Sequence, residues 1–121
     1  MDVVICNPLR TPVGRMGGAL AALTAADLAT ATLRELSRRT GLGEGDIDDV
    51  ILGNGYASGE APAIGRSAAL DAGLGTGGPG LQSDRRCGSG RQAGVHPRVA
   101  GGERWGAGGR PPRSAATAGR T

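Results

Sequence analysis

The sequence has no lysine and no phenylalanine, and its only Tyr and Trp are Tyr56 and Trp105. So few rings give no stacking platform for single-stranded nucleic acid, and no nucleic-acid partner is expected. Cysteine is scarce as well. Cys6 and Cys87 lie far apart with no ligand spacing around either, which argues against a disulfide framework or a metal site and for free thiols. No stretch approaches the roughly 18 apolar residues of a membrane span, and no basic segment followed by an apolar run opens the chain. A cytoplasmic location without a membrane partner is therefore expected. Large apolar side chains are few beside 24 glycines, so a core running the whole length of the 121 residues is not expected.

The net charge of +3 is unevenly distributed: six Arg and ten acidic residues precede Arg85, and eight Arg with only Glu103 follow from it. Basicity thus belongs to the tail. Residues 1–93 read as part of a folded α/β domain, and residues 94–121 as a tail of another kind.

In the first part, Asp2-Val3-Val4-Ile5-Cys6 is a short apolar run ended by Asn7-Pro8 and predicts a buried strand, with Cys6 in the core. After a Pro/Gly-rich loop, Thr24 with Asp27 three residues on predicts a helix N-cap, and Leu28, Thr32, Leu33 and Leu36 fall on one helical face. Gly41 is placed to end that helix in a left-handed cap. Val50-Ile51-Leu52-Gly53-Asn54 predicts a second buried strand, so strand, helix and strand suggest a parallel crossover unit. Ile64 to Ala72 predicts a second helix packed closely on the sheet, and Gly73 to Gly80 a loop. Gly80-Leu81-Gln82-Ser83 leads into Cys87-Gly88-Ser89-Gly90, where a strand is expected to end and a helix to begin. From Gly94 to Thr121 there is neither a period of 2 nor one of 3.6, only a Gly/Arg/Pro/Ala bias, and disorder is expected.

Four segments, in order, resemble the N-terminal half of the thiolases: RTPVGRMGG (Arg10 to Gly18), DDVILGN (Asp48 to Asn54), GEAPAIGRSAALDAGL (Gly59 to Leu74) and GLQSDRRCGSG (Gly80 to Gly90). The third and fourth are similar to the acetyl-CoA acetyltransferase and 3-ketoacyl-CoA thiolase branches. The resemblance implies an α/β fold, here an incomplete N-terminal half of a mixed sheet with helices on its faces. It implies an acyl-CoA acyltransferase in which Cys87, the Cys of the CGSG motif, takes the acyl group from one coenzyme A thioester before a Claisen condensation, or its reverse by thiolysis. Acyl-CoA and coenzyme A are then substrate and product, no metal or tightly bound cofactor is needed, and the intact family works as a dimer or tetramer.

A cysteine attacks as thiolate, so its surroundings must favour the anion. If Gly88-Ser89-Gly90 opens a helix, unpaired backbone N–H groups and the positive helix end do so at Cys87, and the glycines admit a bulky thioester. Read from the residues alone, an inert buried thiol beside a turn accounts for the same pattern; the resemblance favours the nucleophile. Arg85 and Arg86 could add positive potential, although a structural or surface role is the plainer one. Arg15, Gly17 and Gly18 match the family's loop and are expected to be structural. Glu60, Pro62 and Arg66 fall in a segment that serves folding and subunit contact and are given no chemistry. His96, in the tail, is expected to be a bystander.

The thiolases also use two His and a second Cys from their C-terminal half, and none of these has a match here. After CGSG the family usually continues LQAV and on to a strand ending near VVLAGG, whereas this chain reads RQAGVHPRVAGG, which suggests a change of reading frame in GC-rich DNA. A truncated, inactive fragment is the expectation. Two other readings remain open: a remnant that binds thiolase subunits, and a basic tail fused to a small domain that binds nucleic acid.

Overall fold

A computed structural model describes residues 6–94 and the backbone of residues 115–118. The chain enters α1, Ala25–Thr40, through a capping box. The Thr24 hydroxyl accepts from the Asp27 backbone N–H at 3.1 Å, while the Thr24 N–H donates to the Asp27 carboxylate at 2.8 Å. Two N–H groups that the first turn would leave unpaired are satisfied in this way. The helix ends at Gly41, whose φ of 71° lets its N–H return to the Ser37 carbonyl at 2.8 Å.

β1, Asp49–Gly53, follows, then α2, Ile64–Asp71, and β2, Gly80–Ser83. β1 and β2 pair in parallel with Val50 beside Gly80 and Gly53 beside Ser83. Val50, Ile51 and Leu52 are all almost fully buried, as a central parallel strand covered on both faces requires. Val50 and Leu52 pack with Leu33 of α1, Ile64, Ala68 and Ala69 of α2, and Ala61 and Leu74 in one core. Ile51 and Gly53 point the other way by strand alternation.

The expected close packing of α2 on the sheet is present and has a specific origin at Gly65. A Cβ there would stand 2.6 Å from the Val50 carbonyl oxygen and 2.9 Å from that of Leu81. Glycine is what lets the helix backbone lie against both strands. Two arginines tie the ends of this layer. Arg34 of α1 donates to the Asp71 carbonyl at 2.7 Å, and Arg66 donates to the carbonyls of Thr76 and Gly78 in the loop before β2.

β3, Ala115–Ala118, lies in the segment expected to be disordered, yet it pairs in parallel with the second edge of β1, giving the order β2-β1-β3. The reason is backbone hydrogen bonding: a buried central strand needs partners for its N–H and C=O groups on both sides, and an Ala/Thr run can supply them without any hydrophobic pattern. The rest of the expected tail, including His96, lies outside the described residues apart from Gly94. So do residues 2–5 of the predicted first strand. Cys6 itself is exposed, not in the core. Asn7, at φ 53°, turns the chain directly after it, a conformation that Asn tolerates better than most side chains. Both pairings among the described strands are parallel, so the antiparallel part of the expected mixed sheet is not among them. Among the described residues no helix is long and apolar enough to cross a membrane.

Candidate functional site

β2 ends at Ser83, and within three residues the chain turns into a 3-10 turn, Arg86–Gly88, that runs on into helical residues 89–94. Cys87 sits in the middle of that turn and is an exposed residue. The expected junction of strand end and helix start is therefore where the cysteine stands.

The turn is fixed from both sides of Cys87. Ser89, 1% exposed, uses its hydroxyl twice: it accepts from the Arg85 backbone N–H at 2.7 Å and donates to the Arg86 carbonyl at 2.7 Å. The Gly88 N–H donates to the Arg85 carbonyl at 3.0 Å. Arg86 has a φ of 50°, a left-handed conformation that a side chain with a Cβ seldom adopts. Its guanidinium Nη1 reaches the Gly55 carbonyl at 2.7 Å and both oxygens of Asp84 at 2.7 and 2.8 Å, and the group lies over the Tyr56 ring, 5.0 Å from its centroid. The Arg86 backbone N–H, followed by the guanidinium, holds the Asp84 carboxyl below the ordinary carboxylate range. Of the two arginines weighed as sources of positive potential, Arg86 is thus engaged as a structural clamp.

Beneath the turn lies the end of β1. A Cβ on Gly53 would run into the Gly90 amide nitrogen and the Ser89 carbonyl carbon, and one on Gly55 would stand 3.2 Å from the Arg86 backbone. The Gly53-Asn54-Gly55 segment is therefore the floor on which the cysteine-bearing turn rests. Sequence reasoning did not single out Gly53, Gly55, Tyr56, Asp84 or Ser89 for this. The two glycines flanking Asn54 were the available signal.

The other sequence candidates lie apart from this assembly in role. Glu60 and Pro62 are exposed in the loop before α2, and Arg66 holds the loop before β2. Arg15, Gly17 and Gly18 form a turn in which the Gly18 N–H donates to the Arg15 carbonyl at 3.0 Å and Gly17 has a φ of 66°. Among the described residues no group of three His, Cys, Asp or Glu could hold a metal ion.

Residues 3–98 match the family described as thiolase, N-terminal domain. The acetyl-CoA acetyltransferase of Pseudomonas aeruginosa is 42% identical over 92 residues, covering 76% of this chain and 23% of that protein. The 3-oxoadipyl-CoA/3-oxo-5,6-dehydrosuberyl-CoA thiolase of Escherichia coli is 46% identical over 94 residues, again 76% of this chain and 23% of the relative. The chain thus spans about a quarter of the length of the curated relatives it matches. Among solved structures, the crystal structure of the Bacillus anthracis acetyl-CoA acetyltransferase superimposes with a TM-score of 0.66 at 37% identity, covering 69% of this chain and 21% of that one.

Proposed function

This chain belongs to the thiolase family, matched through the N-terminal domain, and we propose that it carries the nucleophile of a coenzyme A-dependent acyl transfer, Cys87. The Cys87 thiolate attacks the carbonyl carbon of an acyl-CoA thioester; the C–S bond to coenzyme A breaks, coenzyme A leaves as its thiol after taking up a proton, and the acyl group stays on Cys87 as a new thioester. In the whole enzyme a second acyl-CoA, deprotonated beside its carbonyl, then attacks that thioester to form a carbon–carbon bond, and thiolysis runs the same steps backward. Coenzyme A thioesters are the substrate class in this proposal, the relatives' names dividing between acetyl-CoA acetyltransferases and 3-oxoadipyl-CoA thiolases.

The observation that carries this reading is the placement of Cys87: exposed, on a turn stapled by the buried Ser89 hydroxyl, at the entry to helical residues 89–94. Residues 1–93 form part of the catalytic domain in this proposal, and the intact enzyme is a cytoplasmic homo-oligomer. The 121-residue polypeptide by itself is not expected to turn over, because the two His and the second Cys implied by the family resemblance have no match in it. Transfer of one acyl group is the activity to look for. On incubation with acetyl-CoA, intact-mass and peptide analysis should find one acetyl group on Cys87, absent in Cys87→Ala and retained in Cys6→Ser. A folded chain that takes up no acetyl group, or takes it up on Cys6 instead, would sink the proposal.

A second reading is a non-catalytic partner of thiolase subunits, favoured by the apolar side chains of Val13, 85% exposed, and Met16, fully exposed. Co-purification with a full-length thiolase, lost on Met16→Glu, would support it; a chain that stays monomeric in that mixture would remove it.

A further inference from the structure

Resting on the reading of Cys87 as a nucleophile, we propose that Arg86 is its positioning residue, holding the thiol-bearing turn against the β1–α2 loop by a clamp to Asp84, Gly55 and Tyr56. Arg86 precedes the cysteine directly and is one of only two non-glycine residues with positive φ among the described residues; the other is Asn7, a residue type that accepts that conformation. A left-handed arginine persists only where its surroundings hold it there. Here the holding groups are visible.

The side chain spans two segments that are far apart in sequence. Nη1 meets the Gly55 carbonyl, 31 residues upstream, and the Asp84 carboxylate, two residues upstream. Asp84 also accepts from the Arg86 backbone N–H at 3.2 Å, so one carboxylate fixes both ends of the same residue. The Tyr56 ring lies under the guanidinium, 5.0 Å from centroid to carbon, and Tyr56 is otherwise exposed. On the far side of the cysteine the Ser89 hydroxyl donates to the Arg86 carbonyl. These bonds, from side chain, N–H and carbonyl alike, all constrain the peptide that leads into Cys87. The side-chain hydrogen bonds converge on one nitrogen, Nη1, which meets the carboxylate and the carbonyl together while the ring lies against the face of the guanidinium.

The test uses the full chain with both cysteines present, so that exposed Cys6 is an internal reference. Iodoacetamide alkylation is followed from about pH 6 to about pH 9, where thiols titrate, and the two sites are read separately by peptide mass. Arg86→Leu and Arg86→Gly are expected to change the Cys87 rate relative to Cys6 by about threefold or more and to move its pH profile. Arg86→Lys, which keeps a cation able to reach Asp84, should stay nearer the parent. Arg86→Gly meets the positive φ without strain, so it remains informative if Arg86→Leu misfolds. Profiles in Arg86→Gly that superimpose on the parent, with unchanged circular dichroism, would overturn the role; a purely structural arginine would shift the unfolding midpoint and leave the profile alone. The acetyl-transfer experiment is scored on the parent chain. An Arg86-dependent profile without acetylation removes the acyl-transfer reading and keeps the clamp, and acetylation with an Arg86-independent profile does the reverse.

Discussion

Gly53 and Gly90 touch backbone to backbone: a single Cβ on Gly53 would collide with the Gly90 amide nitrogen, so the end of β1 and the start of the helical segment after Cys87 are at their closest possible approach. Because the opposing atoms are main chain, no side-chain rotation can make room. Gly53→Ala must therefore push the cysteine-bearing turn outward, and overpacking of this kind costs about 1 to 3 kcal/mol. Urea unfolding should show a lower midpoint than the parent, together with an altered Cys87 alkylation rate. An unchanged midpoint would mean that the two segments do not meet in solution.

Leu33 is the one large side chain of α1 that is almost fully buried, and it packs into the cluster of Val50, Leu52, Ile64 and Leu74. Around it the cluster combines these larger aliphatics with Ala61, Ala68 and Ala69, and close-packed neighbours relax only partly into the space a truncation leaves. Leu33→Ala should then lie within the range of about 2 to 5 kcal/mol seen for buried leucines. In so small a core that loss is expected to abolish the cooperative transition, and a variant that melts like the parent would show that α1 does not dock where it is placed.

Features whose causes lie within a few residues were legible in the sequence. The Thr24-Asp27 pair and Gly41 bound α1 because a cap acts through neighbouring backbone groups. β1 was legible from three successive aliphatics, whereas Cys87 was singled out by the resemblance its CGSG motif carries and not by the local pattern around it. What needed the structure was contact across distance. Arg86 meets Gly55 from 31 residues away, and nothing local to either predicts the pair. β3 carries no hydrophobic pattern and is placed by the open edge of β1. Cys6 looked like a core residue from its apolar neighbours, but the turn at Asn7 leaves it exposed.

Removing the Thr24 hydroxyl isolates the cap from the rest of α1. Its oxygen accepts from the Asp27 N–H and also donates to the Asp27 carboxylate at 2.7 Å. Thr24→Ala should cost about 1 kcal/mol, the usual loss for an N-cap oxygen, whereas Thr24→Ser should cost much less. The two substitutions together decide between the hydroxyl and the methyl group: equal destabilisation would mean that packing, not capping, is what Thr24 contributes.

Acid should weaken α1 through Glu35. Its carboxylate takes hydrogen bonds from Arg38 and Arg39, each at 2.7 Å, and these hold its pKa at about 2 against an ordinary 4.5. For a carboxyl whose folded value is depressed, the stabilising contribution is fully present above the unfolded value and disappears as pH falls toward the folded one. The loss should therefore run from about pH 4.5 downward to about 2. Asp27 and Asp84 are shifted in the same direction and add to the same trend. Glu35→Gln should have a lower midpoint than the parent at neutral pH and a shallower decline below pH 4.5, the two curves converging in acid. Since both arginines are largely exposed, high salt should shrink the difference at neutral pH. Parallel curves for Glu35→Gln and the parent would show that the pair contributes nothing to folding, and the acid sensitivity would then have to come from the Asp27 cap and the Asp84 clamp.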